Sequence, residues 1–226
     1  MNLIAAVVTW SGDTQESATI RALHACESIG EIAVASSTPS APLPSGSYKT
    51  FGISTQWSKS SVVDILRWFE TTRAEYLLWI LSGAPLLSPS GIARLVGCAR
   101  DAGAAIAYGD FQDILADGTM SYHPLIDYQS GSLRDDFDFG SVVLLSADKL
   151  SGLAGEVQEA PAELQYGGWY DLRLRLSERG SVLHLSEPIY RMPVKEQRSS
   201  GERVFDYVDP GKADYQLEME EVATTI

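Results

Sequence analysis

The chain has 226 residues, 45% of them hydrophobic, and its 30 acidic and 17 basic side chains give a formal net charge of -13. That length and apolar content suffice for one substantial core, and one α/β domain fits better than two. The negative charge repels a phosphate backbone, which argues against non-specific nucleic-acid binding and against docking to an anionic membrane.

Leu3 to Thr9 is a β-rich apolar run, and Asp13 with Glu16 has the spacing of a capping box opening a helix with Ala18, Ala22, Ala25 and Ile29 on one face. Glu31 to Ala35 reads as a second strand, followed by the loop SSTPSAPLPSGS and a short strand in YKTFGIS. Ser58 or Ser60 caps the next helix, which turns Val62, Ile65, Leu66 and Phe69 inward. The run YLLWIL has the composition of a fully buried strand and stops at Ser82, Gly83 and Ala84. Ser88 and Pro89 then open a helix with Ile92, Leu95, Val96 and Ala99 on one stripe. A further strand, AAIAYGDF, completes an alternation that predicts a mostly parallel sheet with helices on its faces.

The second half has a different texture. DILADGTMSYHPL contains an Asp-Gly hairpin turn, and GSVVLLSADKL reads as a strand running into a turn. After Gly167 and Gly168, WYDLRLRLSERG is an amphipathic helix ending at Gly180, and SVLHLSEPIY is a strand. Past Met192 the chain is polar and acidic until a helical pattern of Tyr215, Met219, Val222 and Ile226, which ends uncapped and leads us to expect a longer native chain.

Several chemistries find no support. Cys26 and Cys98 lie in apolar helical patterns without a CxxC partner, as buried thiols do. His24, His123 and His184 show no metal-ligand spacing. Neither a GxGxxG after the first strand nor a Lys-bearing P-loop is present. The opening MNLIAAVVTW lacks a basic n-region and is too short to span a bilayer, so a cytoplasmic protein without a transmembrane segment is expected. Trp57, Trp68 and Trp79 suit core roles, whereas Trp10 and Trp169 fall at element ends where a ring can face a ligand.

The succession VVTWSGD, EIAVAS, GISTQWSKSSVVDILRWFETTRAEYLLWIL and GAPLLSPSGIARLV resembles the nucleotide-binding half of family 2 glycosyltransferases, which have the GT-A fold. YGDF, DFDFGSVVLLS and YDLRLRLSERGSVLHLSEPIYR are similar to that family's acceptor half. The resemblance implies an α/β, GT-A-like (Rossmann-like) domain over residues 1–200, with a mainly parallel, mixed central sheet flanked by helices. Residues 1–113 would form the nucleotide-binding half and 114–200 the acceptor half, leaving 201–226 as a polar segment and helix. It further implies transfer of a sugar from a nucleotide-diphosphate sugar to a glycan or lipid-linked hydroxyl acceptor. The alternative is a non-catalytic nucleotide-sugar-binding or assembly module.

The motifs that carry the family's chemistry depart from its pattern. Ser36 and Ser37 replace the aspartate that holds the base, and Ser82, Gly83 and Ala84 replace the Asp-x-Asp metal site. Gly168 and Trp169 replace the Glu-Asp pair whose aspartate is the family's general base, although Asp171 and Arg175 fit the rest of that motif. A divalent cation (Mn or Mg) therefore lacks its usual ligands, and no metal site is expected at that turn. Inverting transfer needs a base for the acceptor proton and positive charge for the departing diphosphate. Arg134, Arg191, Lys195 and Arg198 are the cations available to replace the metal, and the resemblance places the loop of Arg191 and Arg198 over the donor phosphates.

The densest acidic cluster is RDDFDFG, where Asp136 and Asp138 share one face with Arg134 while Asp135, Phe137 and Phe139 take the other. Asp136 is the first candidate base, Asp138 and Asp171 the others. Thr9, Ser36, Ser82 and Asp110 stand at strand ends where a donor would bind, with Asp113 close to Asp110.

Overall fold

The computed structural model describes residues 3–11, 16–36, 46–53, 57–129, 131, 134–160, 163–193 and 213–225. Asp13, Ser37, Lys195 and Arg198, singled out above, lie outside them.

The apolar runs become the centre of one sheet. Strands β1 (Ile4–Trp10), β2 (Ile29–Ser36), β3 (Lys49–Gly52) and β4 (Tyr76–Ile80) lie side by side in the order β3-β2-β1-β4, all parallel. Every residue of β4 is buried, as expected of a strand covered by helices on both faces. The sheet continues through β8 (Val142–Ser146), antiparallel to β4, to β6 (Ile106–Ile114), then β9 (Val182–Pro193) and the short β5 (Leu86–Leu87). β6 and β9 are parallel, and β7 (Met120–His123) folds back on β6 through the expected hairpin, with Gly118 at φ 80°. The result is a mixed α/β sheet with helices packed on it.

Capping decides the helices. α2 (Lys59–Thr71) begins at Ser58, whose side chain accepts from the Ser61 amide, and buries Val62, Ile65, Leu66 and Phe69 as its periodicity predicts. α3 (Pro89–Ala102) begins at Ser88 and ends on the left-handed Gly103, burying Ile92, Leu95, Val96 and Ala99. α1 (Glu16–His24) corrects the sequence reading, because it buries Thr19, Ile20 and Leu23 and leaves Ala25 exposed. The helix stops before Ile29, which opens β2, and Ile20 with Leu23 removes far more apolar area from water than alanine methyls would. Glu16, at the start of the helix, accepts from the backbone amide and hydroxyl of Ser11 at 2.9 and 2.8 Å, while its expected capping partner Asp13 lies outside the described residues.

Where a turn is expected after β8, two short helices follow, α4 (Ala147–Leu150) and α5 (Leu153–Glu159). α6 (Gly168–Arg179) and α7 (Ala213–Thr225) complete the described chain. α7 docks through Met219 and Val222 against Leu164 and Tyr170. Its Glu218 accepts from the backbone amides of Gln165, Tyr166 and Gly167 at 3.0, 2.8 and 3.1 Å, so one carboxylate satisfies three successive donors ahead of α6.

Candidate functional site

β4 ends against the entry to β8. The Leu81 amide donates to the Ser141 carbonyl at 2.9 Å, and the Tyr190 hydroxyl of β9 accepts from the Ser141 amide at 2.8 Å. Gly140, at φ 71°, passes so close to that hydroxyl that no side chain fits there. These contacts bring the acidic segment 134–140 alongside Ser82, although the two are more than fifty residues apart in sequence.

A cavity of about 450 Å³ opens at this junction. Ser82, Asp135, Asp136 and Asp138 line it, together with Trp57 and Phe137 and with Trp169 and Tyr170 from the start of α6. Tyr215 and Met219 of α7 form a further wall. The segment forms no strand, but its burial alternates as expected, with Asp136 and Asp138 exposed and Phe139 buried. Phe137 and Phe139 pack edge-on against Tyr108.

The residue that holds this segment was not among those singled out. Arg173 is 3% exposed and donates to the carbonyls of Phe137, Asp135 and Arg134 at 3.0, 2.9 and 3.4 Å. Its guanidinium carbon lies 5.3 to 5.8 Å from the ring centres of Phe139, Trp169 and Tyr170, and burial lowers its pKa to about 10. Its Nε has no hydrogen-bond partner among the described residues. The signal in the sequence was an arginine on the same helical stripe as Trp169, Leu172 and Leu176, all of which are buried.

The other candidates are distributed as follows. Asp171 is buried and bound to Arg175 through two hydrogen bonds of 2.8 and 3.0 Å, one turn along α6, and is not among the cavity's lining residues. Arg134 is exposed and lies 3.3 Å from Asp136. Thr9, half-buried, and Ser36, buried, sit at the carboxyl ends of β1 and β2, on the same sheet edge as exposed Ser82 but outside the cavity. Arg191 is exposed on β9, paired with Leu86 of β5, and its neighbour Met192 packs on Gly83.

Asp110 belongs to the structure's framework. Its carboxylate accepts from the Leu125 amide at 2.7 Å and from the Tyr122 hydroxyl, and meets His184 at 2.8 Å. Burial pushes its pKa up, but those donors outweigh burial and the net shift is downward. Asp113 pairs instead with His123, so the two carboxylates share no ligand geometry. Among the described residues no group of three His, Cys, Asp or Glu side chains is arranged to hold a metal ion. The turn that replaces Asp-x-Asp does not fit a divalent ion, since it offers one hydroxyl, a left-handed Gly83 and a buried methyl.

The Glu-Asp pair is absent for a steric reason at its first position. A Cβ on Gly168 would lie 2.5 Å from the Lys59 nitrogen and 2.6 Å from the Ser58 carbonyl carbon, because the starts of α6 and α2 touch there. Trp169, at the second position, packs against Trp79 with ring centres 4.9 Å apart.

No family model and no curated protein matches this sequence. Solved structures do match. The 2-C-methyl-D-erythritol 4-phosphate cytidylyltransferase of Thermus thermophilus aligns with a TM-score of 0.51 at 16% identity, over 83% of this chain and 89% of that one. Residues 1–349 of S. aureus TarS align with a TM-score of 0.54 at 8% identity, over 84% of this chain and 60% of that one. The fold is GT-A-like. CMP:2-keto-3-deoxy-manno-octonic acid synthetase, solved with CTP, covers 83% of this chain at 9% identity and a TM-score of 0.48. At these identities the likeness to the cytidylyltransferase and to TarS concerns the fold alone. Among the described residues, no helix is long and apolar enough to cross a membrane.

Proposed function

We propose that this GT-A-like chain is a glycosyltransferase that moves a sugar from a nucleotide-diphosphate sugar to a hydroxyl acceptor with inversion. The observation that carries this reading is the shared cavity, which joins Ser82 at the end of β4 to Asp136 and Asp138. The donor would lie over the carboxyl ends of β1, β2 and β4, where Thr9, Ser36 and Ser82 stand. The acceptor hydroxyl would sit against Asp136. Its proton passes to the carboxylate as its oxygen bonds to the anomeric carbon, and the opposite bond to the diphosphate oxygen breaks, the electron pair leaving with the nucleotide. Asp138 is the neighbouring carboxylate able to take the same role. Positive charge for the leaving group falls to Arg191, Arg134 and Arg198, since a unit charge about 4 Å away is worth roughly 4 kcal/mol at an effective dielectric near 20. The acceptor is a glycan or lipid-linked hydroxyl, and a nucleotide-sugar donor suits the cytoplasmic location expected from the sequence.

A second reading, a module that binds nucleotide sugar without turning it over, is favoured by Trp169 at the place of the family's base and by Asp171 held on Arg175. One experiment separates the two. UDP-, GDP- and CDP-sugars are titrated by calorimetry and assayed for release of the nucleoside diphosphate. Binding with release supports transfer, binding without release under any acceptor tried supports the module, and no binding to any nucleotide sugar removes both.

A further inference from the structure

The cavity beside Ser82 carries a sign of charge that restricts what enters it. Asp135, Asp136 and Asp138 all line it, and among the described residues only Asp136 has a basic side chain in ion-pair range, the exposed Arg134. Asp135 accepts from the Tyr215 hydroxyl at 3.1 Å, and Asp138 accepts from the Gly140 amide at 2.7 Å. Neither contact cancels the carboxylate's charge.

Arg173 is the basic residue of the lining, and it is built into the wall. Both terminal nitrogens are directed at loop carbonyls, and 3% exposure leaves an incoming anion no donor to reach. Tyr215 is pushed up to about 12, by burial first and then by the charge of Asp135, and Tyr170 is raised for the same two reasons in the same order.

Much of the rest of the lining is aromatic. Trp57 and Trp169 stand as one tilted pair with centres 6.5 Å apart, and Tyr166 and Tyr215 as another at 5.9 Å. Rings around a negatively charged space attract a cation electrostatically and cover the C–H faces of a sugar ring. A volume of about 450 Å³ lies within the range of small-ligand pockets. A phosphate or carboxylate placed there would face three like charges, whereas an ammonium group would be held by carboxylates and rings together.

We infer that the end of this cavity at Asp135, Asp136 and Asp138 takes a ligand with a protonated amine, an amino sugar or similar aminated polyol, in preference to uronic acids and free sugar monophosphates. The inference rests on the transferase reading for the ligand's role as acceptor, and on the cavity alone for its binding. Trp57 and Trp169 line the space, so tryptophan fluorescence reports occupancy. Glucosamine, N-acetylglucosamine and glucuronic acid are titrated at low salt and at a pH where the amine is protonated. Glucosamine should bind at least about tenfold more tightly than its neutral acetylated form, with glucuronate the weakest. The preference should shrink at high salt and disappear when the amine is deprotonated. Asp135→Asn, which keeps an acceptor for Tyr215, should reduce the preference severalfold, weakening glucosamine more than N-acetylglucosamine. Equal or stronger binding of the neutral or acidic sugar, a preference untouched by Asp135→Asn, or no binding of any of the three overturns the inference. A parallel titration with nucleotide sugars keeps the two ideas apart. Nucleotide sugar bound and turned over without amine preference rejects this inference alone, and amine preference without nucleotide binding rejects the transferase reading alone.

Discussion

Asp110 and Asp136 show how surroundings divide one side-chain type between framework and chemistry. Asp110 is 1% exposed and meets three partners, so its charge is spent on holding Leu125, Tyr122 and His184 in place. Its folded pKa is depressed, so the stability it contributes is present at neutral pH and is lost as pH falls through the acid range. Asp110→Asn should lower stability by about 2 kcal/mol at pH 7. The gap to the parent should close as pH falls through the acid range, giving the variant the shallower acid limb in urea unfolding measured against pH. Asp136, by contrast, is exposed at the cavity with Arg134 as its ionic partner. Asp136→Asn should reduce turnover by about a hundredfold or more while leaving the urea midpoint within about 0.5 kcal/mol of the parent. Full activity in that variant, measured by nucleoside diphosphate release, would move the base to Asp138.

At the scale of elements, the site depends on how α6 and α7 are seated. Because the Gly168 Cα faces the backbone of Ser58 and Lys59, Gly168→Ala must push α6 away from α2. A cost of about 1–3 kcal/mol is expected in chemical denaturation, from overpacking against backbone that cannot rotate aside. Glu218 is the corresponding anchor for α7. Glu218→Ala leaves the amides of residues 165–167 without their carboxylate, and their hydrogen exchange should accelerate well before that of β4. Unchanged protection at those three amides would show that Met219 and Val222 alone dock the helix. Local pattern located both elements, since WYDLRLRLSERG and the Tyr215, Met219, Val222 stripe announce helices. What docks them is a contact between distant segments, which no spacing within either segment encodes.

For the whole molecule, continuous apolar runs made the parallel half of the sheet legible, because a strand buried on both faces needs hydrophobic residues at every position. The position of β8 was not legible in the same way, since insertion between β4 and β6 depends on pairings that span more than sixty residues to β4 and more than thirty to β6. The carboxylates of the 134–140 segment stood out by crowding. Arg173 did not, because an arginine between leucines reads as the polar side of an amphipathic helix until its stripe is counted. Asp171 and Arg175 drew attention through a family motif, while their four-residue spacing is also that of a helical ion pair. The donor set of Ser82, Gly83 and Ala84 leads to one prediction for the intact protein. Nucleotide-sugar affinity measured by calorimetry should change less than tenfold, under about 1.4 kcal/mol, on adding EDTA or Mn²⁺.

The antiparallel course of β8 has a practical corollary. A chain running against its neighbours enters the sheet at the edge where they leave it, so the acidic stretch reaches the ligand side ahead of a strand. Its boundaries are pinned independently, at Leu125 by Asp110 and at Ser141 by Tyr190 and Leu81. Between those pins Phe137 and Phe139 stay packed on Tyr108, and the exposed side chains at 134, 136 and 138 are the exchangeable part. Those exposed positions can be rewritten in the laboratory, or by evolution, to suit a new acceptor without disturbing the register of any strand, provided Arg173 still finds carbonyls to grip.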